Sequence, residues 1–233
     1  MGFPTSYQDF IYRRTYARWL EGQGRREVWP ETVARYEDFF GKKVPTPKKY
    51  EFHQACDAIR DLRVMPSMRA LWAAGPAAER EPLSIYNCSY VEINTVKSFA
   101  EILYILMNGT GVGFSVERQF IAKLPEVPAT FKESDETIVV ADSKRGWAEA
   151  YYTLLRGLYA GEIKKWDVSR VRPKGSKLRV FGGRASGPEP LVELFKFTVR
   201  TFKNAAGRKL NSIECHDLAC KIASIVVVGG VEQ

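Results

Sequence analysis

The stretch that decides the fold runs from residue 84 to residue 116, SIYNCSYVEINTVKSFAEILYILMNGTGVGFSV. Ser84 to Val91 mixes aromatic and β-branched side chains in the manner of a strand. Phe99, Ile102, Leu103 and Leu106 then recur at i, i+3, i+4 and i+7, which puts them on one face of a helix. Asn108-Gly109 ends that helix, and Val112 to Val116 is again short, apolar and strand-like. Strand, helix and strand in this order predict a parallel pair joined by a crossover helix.

The same alternation continues toward the C-terminus. Thr137 to Val140 reads as a strand, with Asp142 and Ser143 as candidate N-caps of a helix whose apolar face is Trp147, Tyr151, Leu154, Leu155 and Leu158. Lys177 to Phe181 is a further strand candidate, and Pro188 suits the start of a helix burying Leu191, Leu194, Phe195, Val199 and Phe202. Asn211 and Glu214 have the spacing of a capping box. Ile225-Val226-Val227-Val228, β-branched throughout, is expected to be a strand of a sheet covered on both faces. Left as an open edge, such a strand predicts poor solubility. The fold class expected is therefore α/β with largely parallel strands. Residues 1–80, with aromatics, scattered prolines and no strand-like alternation, are expected to form a mostly helical N-terminal region ahead of a second region over 81–233.

Composition narrows the function. No run of about 18 apolar residues occurs, so no helical membrane span is expected, and the charged, aromatic N-terminus lacks the apolar core of a signal peptide. Four cysteines (Cys56, Cys88, Cys215, Cys220) without a Cys-x-x-Cys suit a reduced, cytoplasmic setting. With only His53 and His216, a histidine-rich metal site is not expected, and the neighbours Cys215 and His216 would point different ways from a helix. The net charge is +8, and between Lys164 and Arg184 eight basic residues meet a single acid, Asp167. That cluster reads equally as a phosphate-facing surface or as a solvated loop. Direct nucleic-acid binding ranks last, because no recognised binding module is present.

Two glycine-rich turns carry more information. Asn108-Gly-Thr-Gly-Val-Gly-Phe114 lies between helix and strand, the reverse of the order a dinucleotide-binding fingerprint needs. It marks a place where backbone passes close to a ligand or to another strand. Phe181-Gly-Gly-Arg-Ala-Ser-Gly-Pro188 lies between strand and helix and is either a plain turn or an anion site at a helix N-terminus. Lys174-Gly-Ser-Lys177 lacks the upstream glycine of a phosphate loop. Cys88, on a predicted strand with no histidine nearby in sequence, reads from its surroundings alone as a small buried hydrophobe.

Longer strings resemble the monomeric, adenosylcobalamin-dependent class of ribonucleotide reductase. They are MPSMRALWAAGPA (65–77), YNCSY (86–90), LMNGTGVGFSVER (106–118), VVADSKRGW (139–147), WDVSRVRPKGSKLRVFGGRASGPEPL (166–191) and SIECHDLACKIASIVVVGGV (212–231). The resemblance implies a ten-stranded α/β barrel of two five-stranded halves behind a helical N-terminal region, with this chain corresponding to that region and the first half. It implies reduction of ribonucleoside triphosphates to deoxyribonucleotides by thiyl-radical chemistry, with adenosylcobalamin as cofactor and a thioredoxin-like reductant.

Carried over by position, Cys88 matches a reductant cysteine, and Ser67, Asn87 and Gly111 match positions that hold the ribonucleotide substrate. Gly182, Gly183, Arg184, Ala185, Ser186 and Gly187 match the loop that reports which deoxynucleotide effector is bound. The family's radical cysteine, in an Asn-Pro-Cys-Gly-Glu loop, has no counterpart here, nor has the partner of Cys88, and Cys215 and Cys220 match neither. After Val231 the family continues Arg-Arg-Ser-Ala, whereas this chain reads Glu232-Gln233, which suggests an interrupted reading frame (a split gene, or a first exon read into an intron) or else an incomplete sequence. The expectation is an N-terminal half that is inactive without a C-terminal half supplied as a second chain, and that does not bind adenosylcobalamin tightly alone. The alternative is a non-catalytic nucleotide-binding half-barrel.

Overall fold

The computed structural model describes residues 3–176 and 184–228. The chain forms two compact units, Met1–Asn87 and Cys88–Gln233.

The first unit is helical, as composition predicts, with one addition. α1 (Ser6–Thr15) opens on a capping box between Thr5 and Gln8, and a small antiparallel pair follows, β1 (Trp19–Leu20) with β2 (Arg25–Arg26). α2 (Trp29–Gly41), α3 (Lys49–Arg60), α4 (Met68–Ala73) and α5 (Pro76–Arg80) complete it. Tyr12, Trp29, Val33, Ile59 and Leu71 form its apolar core. Within that core lies a buried ion pair: Glu27 accepts from Arg35 Nε at 2.7 Å and from Thr32 Oγ1 at 2.7 Å. Burial pushes the Glu27 carboxyl up, but hydrogen bonds from Arg35 and Thr32 outweigh it and hold the group below its ordinary range. Arg35 also donates to the carbonyls of Leu71 and Ala74, and Arg18 to that of Trp72. These are C-terminal carbonyls that a short helix leaves without intrahelical partners, so two arginines anchor the end of α4.

The second unit contains two parallel strand pairs. β3 (Cys88–Glu92) leads through α6 (Val96–Met107) to β4 (Gly111–Ser115), and the two strands pair in parallel from Cys88↔Gly111 to Glu92↔Ser115. After the short α7 (Arg118–Ile121), β5 (Lys132–Val139) leads through α8 (Lys144–Tyr159) to β6 (Glu162–Asp167), again in parallel, with a register shift between Glu133 and Thr137. α9 (Glu189–Asn204) and α10 (Ser212–Val228) follow. One core joins them, with Phe99, Leu103, Tyr151, Leu154, Phe195 and Leu218 fully buried. The α/β class with parallel pairs is as expected.

Several local expectations shift. Residues 84–85 belong to a 3₁₀ turn (Pro82–Ile85), so the strand begins only at Cys88. Ser143 caps α8, accepting from the Gly146 N–H, while Asp142 pairs with Arg172 at 2.8 Å. The box at Asn211 and Glu214 forms in both directions, each bond 2.9 Å. Lys177 to Phe181 lies outside the described residues.

Ile225 to Val228 is not a strand: it is the last turn of α10. Cys215, Leu218, Ala219, Ile222, Ile225 and Val226 are all buried, spaced as one helical stripe that packs on the shared core. That stripe outweighs the β-propensity of four branched residues, because propensity is a weak prior beside tertiary packing. The open-edge reason for expecting poor solubility falls with it.

Candidate functional site

In the first unit, Ser67 is the N-cap of α4, its hydroxyl accepting from the Ala70 N–H at 3.3 Å. Two residues on, Arg69 Nε donates to Asn87 Oδ1 at 3.2 Å. The anchored helix α4 thus carries Ser67 and orients Asn87, which is joined to Cys88 by a peptide bond. Ser67 and Asn87, twenty positions apart in sequence, are thus both tied to α4.

In the second unit, Cys88 opens β3 and pairs in register with Gly111, the first residue of β4. Paired residues of a parallel sheet point to the same face, and faces alternate along each strand. Ser89, Val91, Val112 and Phe114 therefore share the inner face, where the last three pack on the core. Cys88, Tyr90, Gly111 and Gly113 share the outer face, with Cys88 exposed and Tyr90 60% exposed. Opposite the thiol and the phenol ring stand two glycines, so the strip beside them is bare backbone. Ser89 Oγ donates to the Gly111 carbonyl at 3.1 Å and fixes the strand there.

The turn before β4 is held from behind. Gly109 has φ +76°, which requires glycine-like freedom. Buried Asn108 donates to the Tyr104 carbonyl and accepts from Lys144 Nζ at 2.9 Å, linking the turn to the start of α8. A methyl group on Gly113 would meet the Ser89 carbonyl at an ordinary 3.6 Å. Packing among the described residues does not demand glycine at 113, which favours ligand approach over close strand packing for this turn. Cys88 is exposed rather than the buried hydrophobe its surroundings in sequence suggest.

At the second glycine-rich segment, the described residues on either side of 177–183 are bonded to one another. The Gly175 N–H donates to the Ala185 carbonyl and the Ala185 N–H to the Ser176 carbonyl, each at 2.8 Å. Arg184 Nη1 donates to the Gly175 carbonyl, Ser186 Oγ to the Gly187 carbonyl, and Gly187 has φ +83°. Gly182 and Gly183 lie outside the described residues. Three cations of the basic cluster are matched by acids distant in sequence: Lys164 with Glu136, Lys165 with Asp135 and Arg172 with Asp142. For these three cations the solvated, ion-paired reading holds over the phosphate-facing one.

The other thiols have different settings. Burial pushes Cys56 up to about 11 and Cys215 up to about 12, so both stay protonated and inert near neutrality. Cys220 is exposed on α10. Among the described residues no group of three or more metal-ligating side chains assembles, and no helix is long and apolar enough to cross a membrane.

Comparison with known proteins places this geometry in a family. Residues 2–76 match the ribonucleotide reductase alpha domain, and residues 128–201 match the insertion domain of B12-dependent ribonucleotide reductase. The latter takes in β5, α8, β6 and most of α9, a division that the sequence reading does not make. A protein of Mycobacterium phage D29, provisionally named an adenosylcobalamin-dependent ribonucleoside-triphosphate reductase, is 29% identical over 97% of this chain and 38% of its own length. The adenosylcobalamin-dependent ribonucleoside-triphosphate reductase of Levilactobacillus brevis is 28% identical over 95% of this chain and 39% of its own length. The crystal structure of a B12-dependent (class II) ribonucleotide reductase superposes with a TM-score of 0.83 at 26% identity, covering 94% of this chain and 40% of that one. The chain spans about two fifths of the length of these relatives. With both domain matches, near-complete coverage of its own length and a shared fold, the chain belongs to the B12-dependent ribonucleotide reductases.

Proposed function

We propose that this chain supplies the reductant thiol and part of the nucleotide site of a ribonucleoside-triphosphate reductase, and that further polypeptide supplies the rest. The observation that carries the reading is the outer face of β3 and β4: an exposed Cys88 directly opposite Gly111, with bare backbone beside it. Reducing a 2′-hydroxyl to hydrogen needs two electrons. Two thiols give them up by closing to a disulfide, so Cys88 needs a second cysteine. Cys56 and Cys215 are buried, and Cys220, though exposed, lies on α10 and matches neither cysteine of the family, so in this reading the second thiol comes from polypeptide beyond this chain. Ser67, Asn87 and Gly111 hold the nucleotide in this reading, Asn87 by its amide and Gly111 by letting the ligand approach the backbone. Gly182 to Gly187, with Arg184 at its centre, is the effector loop.

In the same reading residues 1–80 are the N-terminal region and residues 81–233 contribute the first half of the barrel. In the complete enzyme, adenosylcobalamin would supply the radical chemistry. Among the described residues the open β3–β4 face offers a single wall where a corrinoid needs an enclosure, so these residues do not by themselves fit the cofactor. A thioredoxin-like protein would reset the disulfide, and the setting would be cytoplasmic.

The test is reconstitution. The chain is expressed together with a polypeptide carrying the Asn-Pro-Cys-Gly-Glu half, and cobalamin-dependent deoxynucleotide formation is assayed with and without Cys88→Ser. Activity that requires both chains and disappears with the serine is the expected result. Undiminished turnover in the Cys88→Ser assembly would overturn the assignment.

A further inference from the structure

His216, Asp217 and Cys220 are exposed on α10, outside the stripe that faces the core. Residues four apart on a helix are neighbours, and Cys220 Sγ lies 3.5 Å from His216 Nε2 and 3.8 Å from Nδ1. Asp217 Oδ1 lies 3.2 Å from His216 Nδ1. A carboxylate can only accept, so this contact favours the tautomer with its proton on Nδ1 and leaves Nε2, the ring nitrogen nearer Sγ, as the acceptor. The imidazole also rests against Phe114 of β4, ring centroids 5.8 Å apart, which restricts its rotation. Nearby charges are taken up elsewhere: Lys221 pairs with Glu193 of α9, and Glu214 with Arg208. His53, the chain's other histidine, is bonded to Glu37 in the first unit. Thiol, base and orienting carboxylate together form the arrangement that activates a cysteine nucleophile.

We propose that Cys220, with His216 as its proton acceptor and Asp217 orienting the imidazole, is a modification site that forms mixed disulfides with small organic disulfides. In the step, His216 Nε2 takes the Cys220 proton as Sγ attacks one sulfur of the incoming disulfide. The Sγ–S bond forms, the original S–S bond breaks, and the departing thiolate recovers the proton from the imidazolium. One thiol and one disulfide become one mixed disulfide and one thiol, so no further oxidant is required. The site is separate from the outer face of β3 and β4 and stands whether or not the reductase reading does.

Glutathione disulfide, in limiting amount at neutral pH, is the probe, with acid quenching and peptide mass mapping of all four cysteines. Cys220 should be modified first, roughly tenfold or more faster than Cys88, in line with the scale of general-base assistance. His216→Gln should bring its rate down to that of Cys88, and Asp217→Asn should give a smaller, few-fold loss. Unmodified Cys56 and Cys215 report an intact fold in each variant. Should His216→Gln expose them, Asp217→Asn decides by the same comparison. Cys220 reacting no faster than Cys88, or a substitution that leaves its rate unchanged in a folded chain, would overturn the proposal.

Discussion

Both β3–α6–β4 and β5–α8–β6 join two parallel strands through a helix packed on one apolar core, yet their outer surfaces are finished in opposite ways. β5 and β6 are laced across by charge: Lys132 with Glu162, Lys164 with Glu136, Lys165 with Asp135. β3 and β4 present a thiol, a phenol ring and two glycines, with Glu92 and Ser115 following only at the far end. Charges along a strand pair keep it soluble and discourage other chains from adding to it. Removing side chains does the reverse and lets a ligand reach the backbone. The family matches follow the same division, since β5, α8 and β6 fall within the insertion domain and β3 and β4 do not. One topology thus serves once as a surface kept closed and once as a surface left open.

The largest test of this contrast asks whether the difference stops at the surface. Leu103 of α6 and Leu154 of α8 are both fully buried in the shared core. Leu103→Ala and Leu154→Ala should each cost roughly 2–5 kcal/mol in chemical denaturation, the range for emptying a buried leucine site. Similar costs in a single transition would mean that both pairs hang on one cooperative core. A loss confined to one variant would split the two strand pairs energetically and break the comparison at its base.

Glycine sharpens it next. An alanine in a helix is ordinarily more stable than a glycine by about 1 kcal/mol. At Gly146 in the first turn of α8, however, a methyl group would stand 2.5 Å from the Ala141 carbonyl oxygen and 2.7 Å from its Cβ. Gly146→Ala should therefore destabilise by about 1–3 kcal/mol, the usual cost of overpacking, read as a lowered melting temperature. Gly113→Ala in β4 meets nothing nearer than 3.6 Å and should leave the melting temperature nearly unchanged. In the reconstituted assembly the same Gly113→Ala should weaken nucleotide binding several-fold, measured by titration calorimetry. Unaltered binding would return this turn to a packing role.

The two regions also differ in how much of them could be read beforehand. Around β3 and β4 the periodicity switches cleanly from strand to helix to glycine turn, so the topology was legible there, whereas Cys88 and Gly111 stood out only through the family resemblance. β6 was not. Its residues Glu162 to Asp167 include Lys164 and Lys165, and they read as the start of a basic loop because the matching acids lie on β5, some thirty positions earlier. At the end of α10 the error ran the other way, since branched residues favour strands locally, and only the helical spacing back to Cys215 shows which tendency wins. The pair His216 and Cys220 has an i, i+4 spacing in sequence, but the adjacent Cys215, which is buried in the core, masks it as the nearer cysteine. Contacts between distant residues, such as Lys144 with Asn108, left no local signal at all.

The smallest expected effect bears on what those charges are for. Glu136 is exposed, and a hydrogen bond from Lys164, helped by the attraction between the two charges, holds its carboxyl below the ordinary range. Exposed pairs of this kind contribute little to stability, because water screens them and long side chains lose freedom in making them. Glu136→Gln should therefore lower the melting temperature only slightly, and the difference should vanish as salt is raised. What the substitution removes is a charge on the strand pair, so its consequence should appear instead in self-association, followed by light scattering across protein concentration. A large, salt-resistant fall in melting temperature would mean that β5 and β6 depend on charge as the helices depend on packing. The surface would then be structural rather than protective, and the contrast with β3 and β4 would lose its meaning.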